Sequence, residues 1–422
     1  MTRVFDPDTY LQRLTALGIR MDLDAVRAAL QCLGHPEASY PAILVAGTNG
    51  KGSVAAMTAS ILTAAGLNVG LYTSPHLVDV RERIRVNGEM ISRQELAAAG
   101  GEIARRVAEP LTYFEFLTVL AGFYFRERKI DIAVVEVGMG GRLDATRLFA
   151  APVAVITNLS RDHEEYLGRR LGDIAFEKAA IIPVGGVCVT AVRQRGVRRV
   201  IETTGRAREV LLLRLGGEIK IRRHRDGTFS YRSATRYLPR LPCALTGGHQ
   251  RENAALAVAA VEAMETRGFA VREGAIRTGL AGVRWEGRLE ILRRDPAVLV
   301  DGAHNPAGIG SLCRALRHDF SYRRLIVLFG VLRDKHYEEM LERLAALTPL
   351  LIITRPGSER SLPPESLLEA AKRLSPEAKA IPAPAAALRH ALAVARHDDL
   401  ICVTGSLYLV GEIKRLFLTG DA

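Results

Sequence analysis

The sequence predicts an α/β protein of two domains, each built on a parallel sheet covered by helices. Three observations support this prediction: short apolar runs of strand length, helical patterns between several of them, and a second strand–helix series that begins in the last third of the chain. Alternation of this kind is typical of parallel sheets, because a helix usually connects two parallel strands. The length of 422 residues suits two or three domains.

The predicted strands are the clearest short apolar runs, namely 43–46, 132–137, 153–157, 297–300, 325–329, 350–354 and 400–404. Helical patterns between them cover 307–316 and 337–346. A new strand–helix series begins near 288–296. We therefore expect an N-terminal domain of residues 1–290 and a smaller, Rossmann-like C-terminal domain of residues 291–422.

Composition and the first residues place the chain among ordinary globular proteins. Apolar residues make up 48% of the chain and charged residues 25%. We find no apolar run of 18 residues and no basic-then-apolar leader, so we expect a cytoplasmic protein without a membrane partner. The five cysteines form no CxxC pair, which favours reduced thiols over disulfides or zinc. We expect a monomer.

The net charge of +12 is concentrated in one segment. Residues 193–240 hold 14 Arg and Lys against 4 Asp and Glu, a net of +10. Period-two alternation around Asp226-Gly227 predicts a solvated hairpin in this segment. Its basic surface suits attraction of anionic small molecules. A nucleic-acid patch is the alternative, but the segment has little aromatic interleaving and no binding motif, so we expect no nucleic-acid partner.

The glycine-rich stretch 47–53, Gly-Thr-Asn-Gly-Lys-Gly-Ser, lies between an apolar run and an alanine-rich helical segment. Such a loop turns backbone N–H groups and a helix N-terminus toward an anion. Lys51 can reach terminal phosphates and Ser53 can offer a hydroxyl to Mg²⁺. The alternative is a plain turn, to which a lysine and a serine would add nothing. The N-terminal domain is thus predicted to be P-loop ATPase-like.

Two further predicted strands end in polar residues. Glu136 interrupts an apolar strand, where an unpaired carboxylate would be costly, so we expect it to meet a cation at the strand end. The glycines that follow it, at 138, 140 and 141, permit close approach of a ligand or of backbone. His163 comes shortly after the strand at 153–157. Ligands of open α/β sheets bind at the carboxyl ends of strands.

These strand ends carry a resemblance to the Mur ligase superfamily, and within it to the folylpolyglutamate synthases, including bifunctional dihydrofolate synthases. The matching segments occur in family order over nearly the whole chain: 47–53, 73–77, 111–118, 136–146, 162–163, 177–179, 248–253, 285–290, 301–306 and 404–408. The glycine loop indicates only the superfamily. The stretches Phe-Glu-Phe-Leu-Thr at 114–118 and Asp-Gly-Ala-His-Asn-Pro at 301–306 narrow it to the folate branch.

The resemblance implies ATP in the cleft between the two domains, with two Mg²⁺ ions. The residues at nucleotide-binding positions of the family are Asn49, Gly50, Lys51, Gly52, Ser53, Asn253, Arg288 and Asp301. The implied ligands of one Mg²⁺ are Ser53, Ser74 and Glu136, and those of the other include Glu136 and His163. Oxygen and imidazole donors suit Mg²⁺ when phosphates and waters complete the shell.

Further roles follow from the same resemblance. Lys178, which by pattern alone suits a helix surface, lies where relatives carry a carbamylated lysine, an anionic oxygen donor. The residues where relatives contact the pterin substrate are Phe114, Glu115, Asp144 and Ala145. His304 and Ser406 are glutamate contacts by the same comparison. His304 either deprotonates the incoming amine or orders the site.

The implied reaction is ATP-dependent ligation. ATP phosphorylates the carboxylate of dihydropteroate or the γ-carboxylate of a folate, and the amine of L-glutamate attacks the acyl phosphate. Lys51 and Mg²⁺ offset the repulsion between the two anions. One alternative is a cell-wall ligase that acts on a UDP-linked precursor, but the folate-type stretch at 111–118 argues against it. The second alternative is a nucleotide-dependent nucleic-acid-binding protein.

Overall fold

The computed structural model describes residues 5–421, which form two compact units. The first unit contains 5–76, Val80–Ala244 and Arg251–Val283. The second contains Leu77–Asp79, Leu245–Gln250 and the chain from Arg284 onward. The domain limits of 1–290 and 291–422 stay a prediction.

The first unit is organised around an eight-stranded sheet. Its strands in chain order are β1 (Ala42–Ala46), β2 (Val69–Tyr72), β3 (Ile84–Val86), β4 (Glu89–Met90), β5 (Ile132–Glu136), β6 (Val153–Ile156), β7 (Val187–Thr190) and β8 (Leu211–Arg214). Their order in the sheet is β4-β3-β2-β5-β1-β6-β7-β8. Six neighbouring strands are parallel, namely β2, β5, β1, β6, β7 and β8. Strands β3 and β4 complete one edge of the sheet as antiparallel strands. The central strands are buried along their whole length, as their uninterrupted apolar runs predict.

The helices associated with this sheet are α1 (Pro7–Thr15), α2 (Asp24–Cys32), α3 (Lys51–Ala64), α4 (Arg93–Arg106), α5 (Tyr113–Glu127), α6 (Glu164–Leu167), α7 (Leu171–Ala179), α8 (Arg195–Ala207), α9 (Gly248–Glu265) and α10 (Glu273–Gly282). Helix α3 is buried over most of its surface, and α10 packs against it. The two helices approach so closely that the Ser60 hydroxyl donates to the Gly279 carbonyl at 2.8 Å. Close packing therefore holds the helix that follows the glycine loop in the core.

The basic segment forms a three-stranded antiparallel sheet of β9 (Lys220–Arg223), β10 (Phe229–Arg232) and β11 (Tyr237–Leu241). The predicted hairpin is confirmed as the pair β9–β10. Its description as solvated is wrong for β10, because Phe229 and Tyr231 are fully buried. The Tyr231 hydroxyl donates to Glu262 Oε2 on α9 at 2.6 Å. The inward-facing aromatic residues of β10 anchor this sheet to the domain.

The second unit contains a six-stranded sheet and five helices. The strands are β12 (Glu290–Arg294), β13 (Ala297–Val300), β14 (Leu325–Phe329), β15 (Leu351–Ile353), β16 (Lys379–Ala380) and β17 (Leu400–Thr404). The helices are α11 (Pro306–His318), α12 (Tyr337–Ala345), α13 (Pro364–Leu374), α14 (Pro384–Val394) and α15 (Leu407–Thr419). The sheet order is β12-β13-β17-β14-β15-β16, in which only β12 runs antiparallel to its neighbour.

Each strand predicted from an apolar run is found with ends that differ by at most one residue, and both predicted helices are present. The α/β class with a parallel sheet in each unit is confirmed. The five cysteines all lie in the described chain and form no disulfide. Within 5–421, no helix combines the length and the apolar character needed to cross a bilayer.

Candidate active site

The strand order of the first sheet brings together the loops that the sequence singled out. Strands β2, β5, β1 and β6 are consecutive neighbours and run parallel. The register pairs Val45 with Glu136 and Ala46 with Ile156, so these strands end at nearly the same level. The loops that begin at 47, 73, 137 and 157 therefore leave one edge of the sheet together. This carboxyl edge is where ligands of open α/β sheets bind.

Hydrogen bonds within the protein hold the glycine loop in shape. Lys51 is the first residue of α3, and its Nζ donates to the Thr48 carbonyl at 3.2 Å. The Asn49 N–H donates to Asn158 Oδ1 at 3.1 Å. The Thr157 hydroxyl donates to the Asn49 carbonyl at 2.7 Å. The polar residues after β6 are thus a scaffold for the loop, a role that sequence reasoning missed although Thr157 and Asn158 visibly end an apolar strand.

Asn253 on α9 lies directly against this loop. Gly50 has a φ of +84°, and a Cβ added there would lie 2.7 Å from Asn253 Oδ1. A glycine is required at this position both for the left-handed backbone and for the close approach of Asn253. Of the expected nucleotide contacts on the first unit, Asn253 and the loop residues 49–53 are therefore found together.

The expected metal ligands include one directly observed pair. Glu136 is the last residue of β5 and is buried, and its Oε2 accepts the Ser74 N–H at 3.1 Å. Ser53 is buried in the first turn of α3. His163 has a left-handed backbone, and its Nε2 lies 4.0 Å from Asp162 Oδ1. Hydroxyl, carboxylate and imidazole groups at one sheet edge fit Mg²⁺ chemically.

Protein side chains alone do not form a complete metal cage here. In the part of the chain that the structure describes, no group of three or more His, Cys, Asp or Glu side chains is arranged to hold a metal ion. A site with few protein ligands is characteristic of Mg²⁺ that is also coordinated by substrate phosphates and water.

Lys178 is buried at the end of α7, contrary to what its sequence pattern alone suggests. Burial and the nearby positive charge of Lys51 lower the pKa of its amine to about 7. Three carboxylates oppose this shift, namely those of Asp162, Asp144 and Glu177. Near neutral pH the amine therefore has access to its uncharged form, in which the nitrogen is nucleophilic. Asp162 was assigned no role from the sequence, although this buried carboxylate acts on Lys178. Its position directly before His163 was the signal that could have indicated one.

The Glu177 side chain fixes the loop that follows β5. Its Oε1 accepts from Arg142 Nε at 2.9 Å, and its Oε2 is buried without a hydrogen-bond partner. Main-chain atoms of α7 lie close enough to Gly141 that a Cβ there would be 2.7 Å from the Glu177 carbonyl oxygen. Helix α7 is therefore in direct contact with the loop that follows β5, and Lys178 lies beside that loop.

Phe114 and Asp144, two of the expected pterin contacts, meet at Gly138. A Cβ added to Gly138 would lie 2.5 Å from Phe114 Cζ and 3.2 Å from Asp144 Oδ2. Asp144 accepts the Met139 N–H at 2.8 Å, and burial raises the pKa of its carboxyl. Ala145 follows as the buried first residue of a short 3₁₀ turn that Asp144 caps. The Phe114 ring and the buried Asp144 carboxyl thus both lie against Gly138.

Glu115 is held by its own helix. It forms a capping box with Thr112, whose N–H donates to Glu115 Oε2 at 2.7 Å, and Arg20 lies 3.7 Å from the same oxygen. The other oxygen, Oε1, is buried without a hydrogen-bond partner. The residue therefore has a structural role and also one unused acceptor.

Arg288 and Asp301 lie in the second unit. Asp301 follows β13 and accepts two backbone N–H groups, from Leu289 to Oδ2 and from Ala303 to Oδ1, each at 3.0 Å. Burial raises the pKa of the Asp301 carboxyl, while the charge of Arg288 acts in the opposite direction. Arg288 Nη1 donates to the Gly287 carbonyl at 3.0 Å. These residues form one compact cluster.

His304 and Ser406 lie at neighbouring strand ends of the same sheet. His304 Nδ1 is 2.8 Å from the Gly302 carbonyl, which can only accept, so the proton is on Nδ1 and Nε2 is the basic nitrogen. Ser406 follows β17 and caps α15 by accepting the Tyr408 N–H at 3.1 Å. Strands β13 and β17 are paired, which brings both loops to one edge.

The sequence matches two known domain families. Residues 45–261 match the Mur ligase middle domain, and residues 287–407 match the Mur ligase glutamate ligase domain. The chain is 38% identical over 460 aligned residues to the dihydrofolate synthase/folylpolyglutamate synthase of Mycobacterium tuberculosis, covering 96% of this chain and 92% of the relative.

Solved structures are similar over almost the whole chain. Escherichia coli FolC in complex with DHPP and ADP superposes with a TM-score of 0.90 at 31% identity, covering 99% of this chain and 98% of that one. The Yersinia pestis bifunctional folylpolyglutamate synthase/dihydrofolate synthase, complexed with AMPPNP and a Mn ion, has a TM-score of 0.86 at 28% identity, covering 97% of each chain. The protein therefore belongs to the folylpolyglutamate synthase/dihydrofolate synthase family of ATP-dependent ligases with Mur ligase domains.

Proposed function

We propose that this chain uses ATP to join L-glutamate to dihydropteroate, to the γ-carboxylate of a folate, or to both, through an acyl phosphate. The observation that carries the proposal is the convergence at one sheet edge of the glycine loop with Lys51, the Ser74–Glu136 pair and the buried Lys178. The relatives named above support the folate and glutamate specificity. Lys51 supplies a cation at this edge, which suits phosphoryl transfer between two anions.

The chemistry follows from the poor leaving group of a carboxylate. A carboxylate oxygen of the acceptor attacks the γ-phosphorus of ATP, and the bond from that phosphorus to ADP breaks. The glutamate amine then attacks the acyl carbon, phosphate leaves with its bonding electrons, and the amine loses a proton. Lys51 stabilises charge on the transferring group. His304 either accepts the amine proton at Nε2 or orders the glutamate.

The proposed residues divide into three groups. The nucleotide contacts are Asn49, Gly50, Lys51, Gly52, Ser53, Asn253, Arg288 and Asp301. The proposed ligands of Mg²⁺ are Ser53, Ser74, Glu136 and His163, and the ion would supply neutralisation of phosphate charge. Phe114 offers its ring for stacking and Glu115 its unused Oε1 as an acceptor, with Asp144 and Ala145 beside them. A pterin, a flat ring with N–H donors, suits this set.

We also propose that Lys178 is carbamylated. The uncharged amine attacks CO₂ to form an N–C bond, and one proton is released, so a cationic side chain becomes an anionic oxygen donor. Its burial and its pKa of about 7 support this proposal. A cytoplasmic, monomeric enzyme remains our expectation.

The test is phosphate release with ATP, Mg²⁺ and glutamate, with dihydropteroate and tetrahydrofolate offered separately. Release that requires both glutamate and a pteroate or folate supports the proposal. Lys51→Ala should reduce kcat by about 100-fold or more with either acceptor, because one preorganised charge is lost at the transferring phosphoryl group. Its circular dichroism should match the wild type. Unchanged turnover in this folded variant would reject the role of Lys51, and turnover with only a UDP-linked precursor would reject the folate assignment.

A further inference from the structure

The segment that carries Arg288 has an unusual backbone. Gly287 and Leu289, on either side of the arginine, have φ values of +67° and +49°. A leucine with positive φ is an outlier that persists only where its surroundings hold it. Here the side chain of Leu289 is buried, and its N–H donates to Asp301 Oδ2. The conformation of Arg288 is therefore set by contacts of its neighbours.

The peptide groups on both sides of Gly287 are fixed. The Gly287 N–H donates to Glu290 Oε2 at 2.7 Å. The Gly287 carbonyl accepts from the Gly302 N–H at 2.9 Å and from Arg288 Nη1 at 3.0 Å. The guanidinium of Arg288 is thus tied to the carbonyl of Gly287, and the Glu290 carboxylate holds the N–H of the same residue.

Lys414 on α15 completes this arrangement from the other side. Its side chain is only 9% exposed, and its Nζ lies 2.6 Å from Glu290 Oε1 and 3.0 Å from Glu286 Oε2. Glu290 therefore uses one oxygen for Lys414 and the other for the Gly287 N–H. Such charge-assisted hydrogen bonds are short and directional, and a buried partner left alone would be strongly disfavoured.

Helix α15 is well placed to act as a rigid support. It begins at Leu407 and packs against the turn, so that a Cβ on Gly287 would lie 3.3 Å from Val410 Cγ1. Lys414 lies two helical turns beyond the Ser406 cap. Through Lys414, helix α15 therefore fixes the Glu290 carboxylate relative to the core of the second unit.

We infer that the Lys414–Glu290 ion pair is a positioning device that holds Arg288 in its nucleotide-binding conformation. The inference rests on the proposed function, in which Arg288 contacts the nucleotide. Lys414 touches no ligand in this account. It acts on Arg288 indirectly, because Glu290 holds the Gly287 N–H and the Gly287 carbonyl accepts from the arginine.

The experiment measures ADP binding to the full-length protein by calorimetry in the presence of Mg²⁺, without any need for turnover. Lys414→Met keeps the length of the side chain and leaves Glu290 without its cation. We expect its ADP dissociation constant to rise about tenfold, because a contact residue loses its fixed position. In steady-state assays KM for ATP should rise more than kcat falls.

Two further variants separate positioning from general damage. Glu290→Gln keeps the size and an acceptor for the Gly287 N–H but removes the charge that pairs with Lys414. Glu286→Gln is the matched control, since its carboxylate is 49% exposed and also contacts Lys414. We expect weaker ADP binding for Glu290→Gln and wild-type binding for Glu286→Gln. Thermal unfolding without nucleotide checks that all variants fold, and Glu290→Gln carries the test if Lys414→Met does not.

A double-mutant cycle with Arg288→Ala gives the decisive readout. If Lys414 acts through Arg288, Lys414→Met should add little to the loss already caused by Arg288→Ala. Fully additive losses, or wild-type ADP binding by Glu290→Gln and Lys414→Met, would overturn the inference. Wild-type binding by Arg288→Ala itself would instead overturn the proposed nucleotide role of Arg288, so the two failures can be told apart.

Discussion

The carboxyl edge of each large sheet contains a buried titratable side chain. It is a lysine, Lys178, at the first edge and an aspartate, Asp301, at the second. At the first edge, Lys178 is buried near the like charge of Lys51, and its pKa falls to about 7. At the second edge, Asp301 is buried but accepts two backbone N–H groups, and its pKa is raised. Burial favours the neutral form in both cases. The Lys178 amine therefore has access to its neutral form near neutral pH, whereas the Asp301 carboxyl is held by two backbone N–H groups.

The largest expected effect comes from removing the amine at the first edge. Lys178→Ala should lower kcat by about 100-fold or more, because the proposed carbamate, an anionic oxygen donor for the phosphoryl transfer, can no longer form. Phosphate-release assays measure the loss, and added acetate should restore part of the activity by supplying a carboxylate. Lys372→Ala, an exposed lysine on α13, is the matched control.

The modification itself can be observed directly. With ¹³C-labelled bicarbonate, the wild type should give a carbamate resonance that is missing in Lys178→Ala and present in Lys372→Ala. Full activity of Lys178→Ala would contradict a catalytic role for the residue, and activity without the resonance would contradict only the carbamate.

The pH dependence of stability should distinguish the two edges. The folded-state pKa of Lys178 is about 7, below its ordinary value of 10.5, so between these values only the unfolded chain holds the proton. The free energy of unfolding should therefore rise with pH across this window, by about 1.4 kcal/mol per pH unit from this group. Denaturant unfolding in CO₂-free buffer from pH 7 to 9 should show a shallower slope for Lys178→Met.

The opposite sign is expected for the second edge. The folded-state pKa of Asp301 is raised above its ordinary value of 3.8, so over that window the folded chain holds the proton. Stability from this group is complete below about pH 4 and falls as pH rises through the folded pKa. Asp301→Asn should remove this fall, and equal pH slopes for wild type and variant would contradict burial as the controlling cause.

The smallest effect concerns two helix caps at the second edge. Ser406 caps α15, and Asn305 caps α11 by accepting the Gly308 N–H at 2.9 Å. Replacing either with alanine should lower the free energy of unfolding by about 1 kcal/mol. If Ser406 also contacts glutamate, only Ser406→Ala should raise KM for glutamate. Equal KM values for the two variants would limit Ser406 to capping.

The parts of the site that could be predicted are those whose chemistry is local in the chain. The glycine loop with Lys51, the carboxylate of Glu136 and the polar end of β6 all show as departures from an apolar run. Strand limits followed from the same runs. The basic segment shows where local sequence patterns were insufficient, because the buried Tyr231 contacts α9, which lies outside the hairpin.

Hydrophobic periodicity and turn residues act over short distances, so the α/β class, the strands and the position of the glycine loop could be predicted from the sequence alone. Tertiary structure decided which loops share an edge, that Lys178 is buried, and that Lys414 meets Glu290 across 124 positions of sequence. The physical reason is that desolvation and Coulomb interaction depend on which groups surround a charge, and only folding brings those groups together.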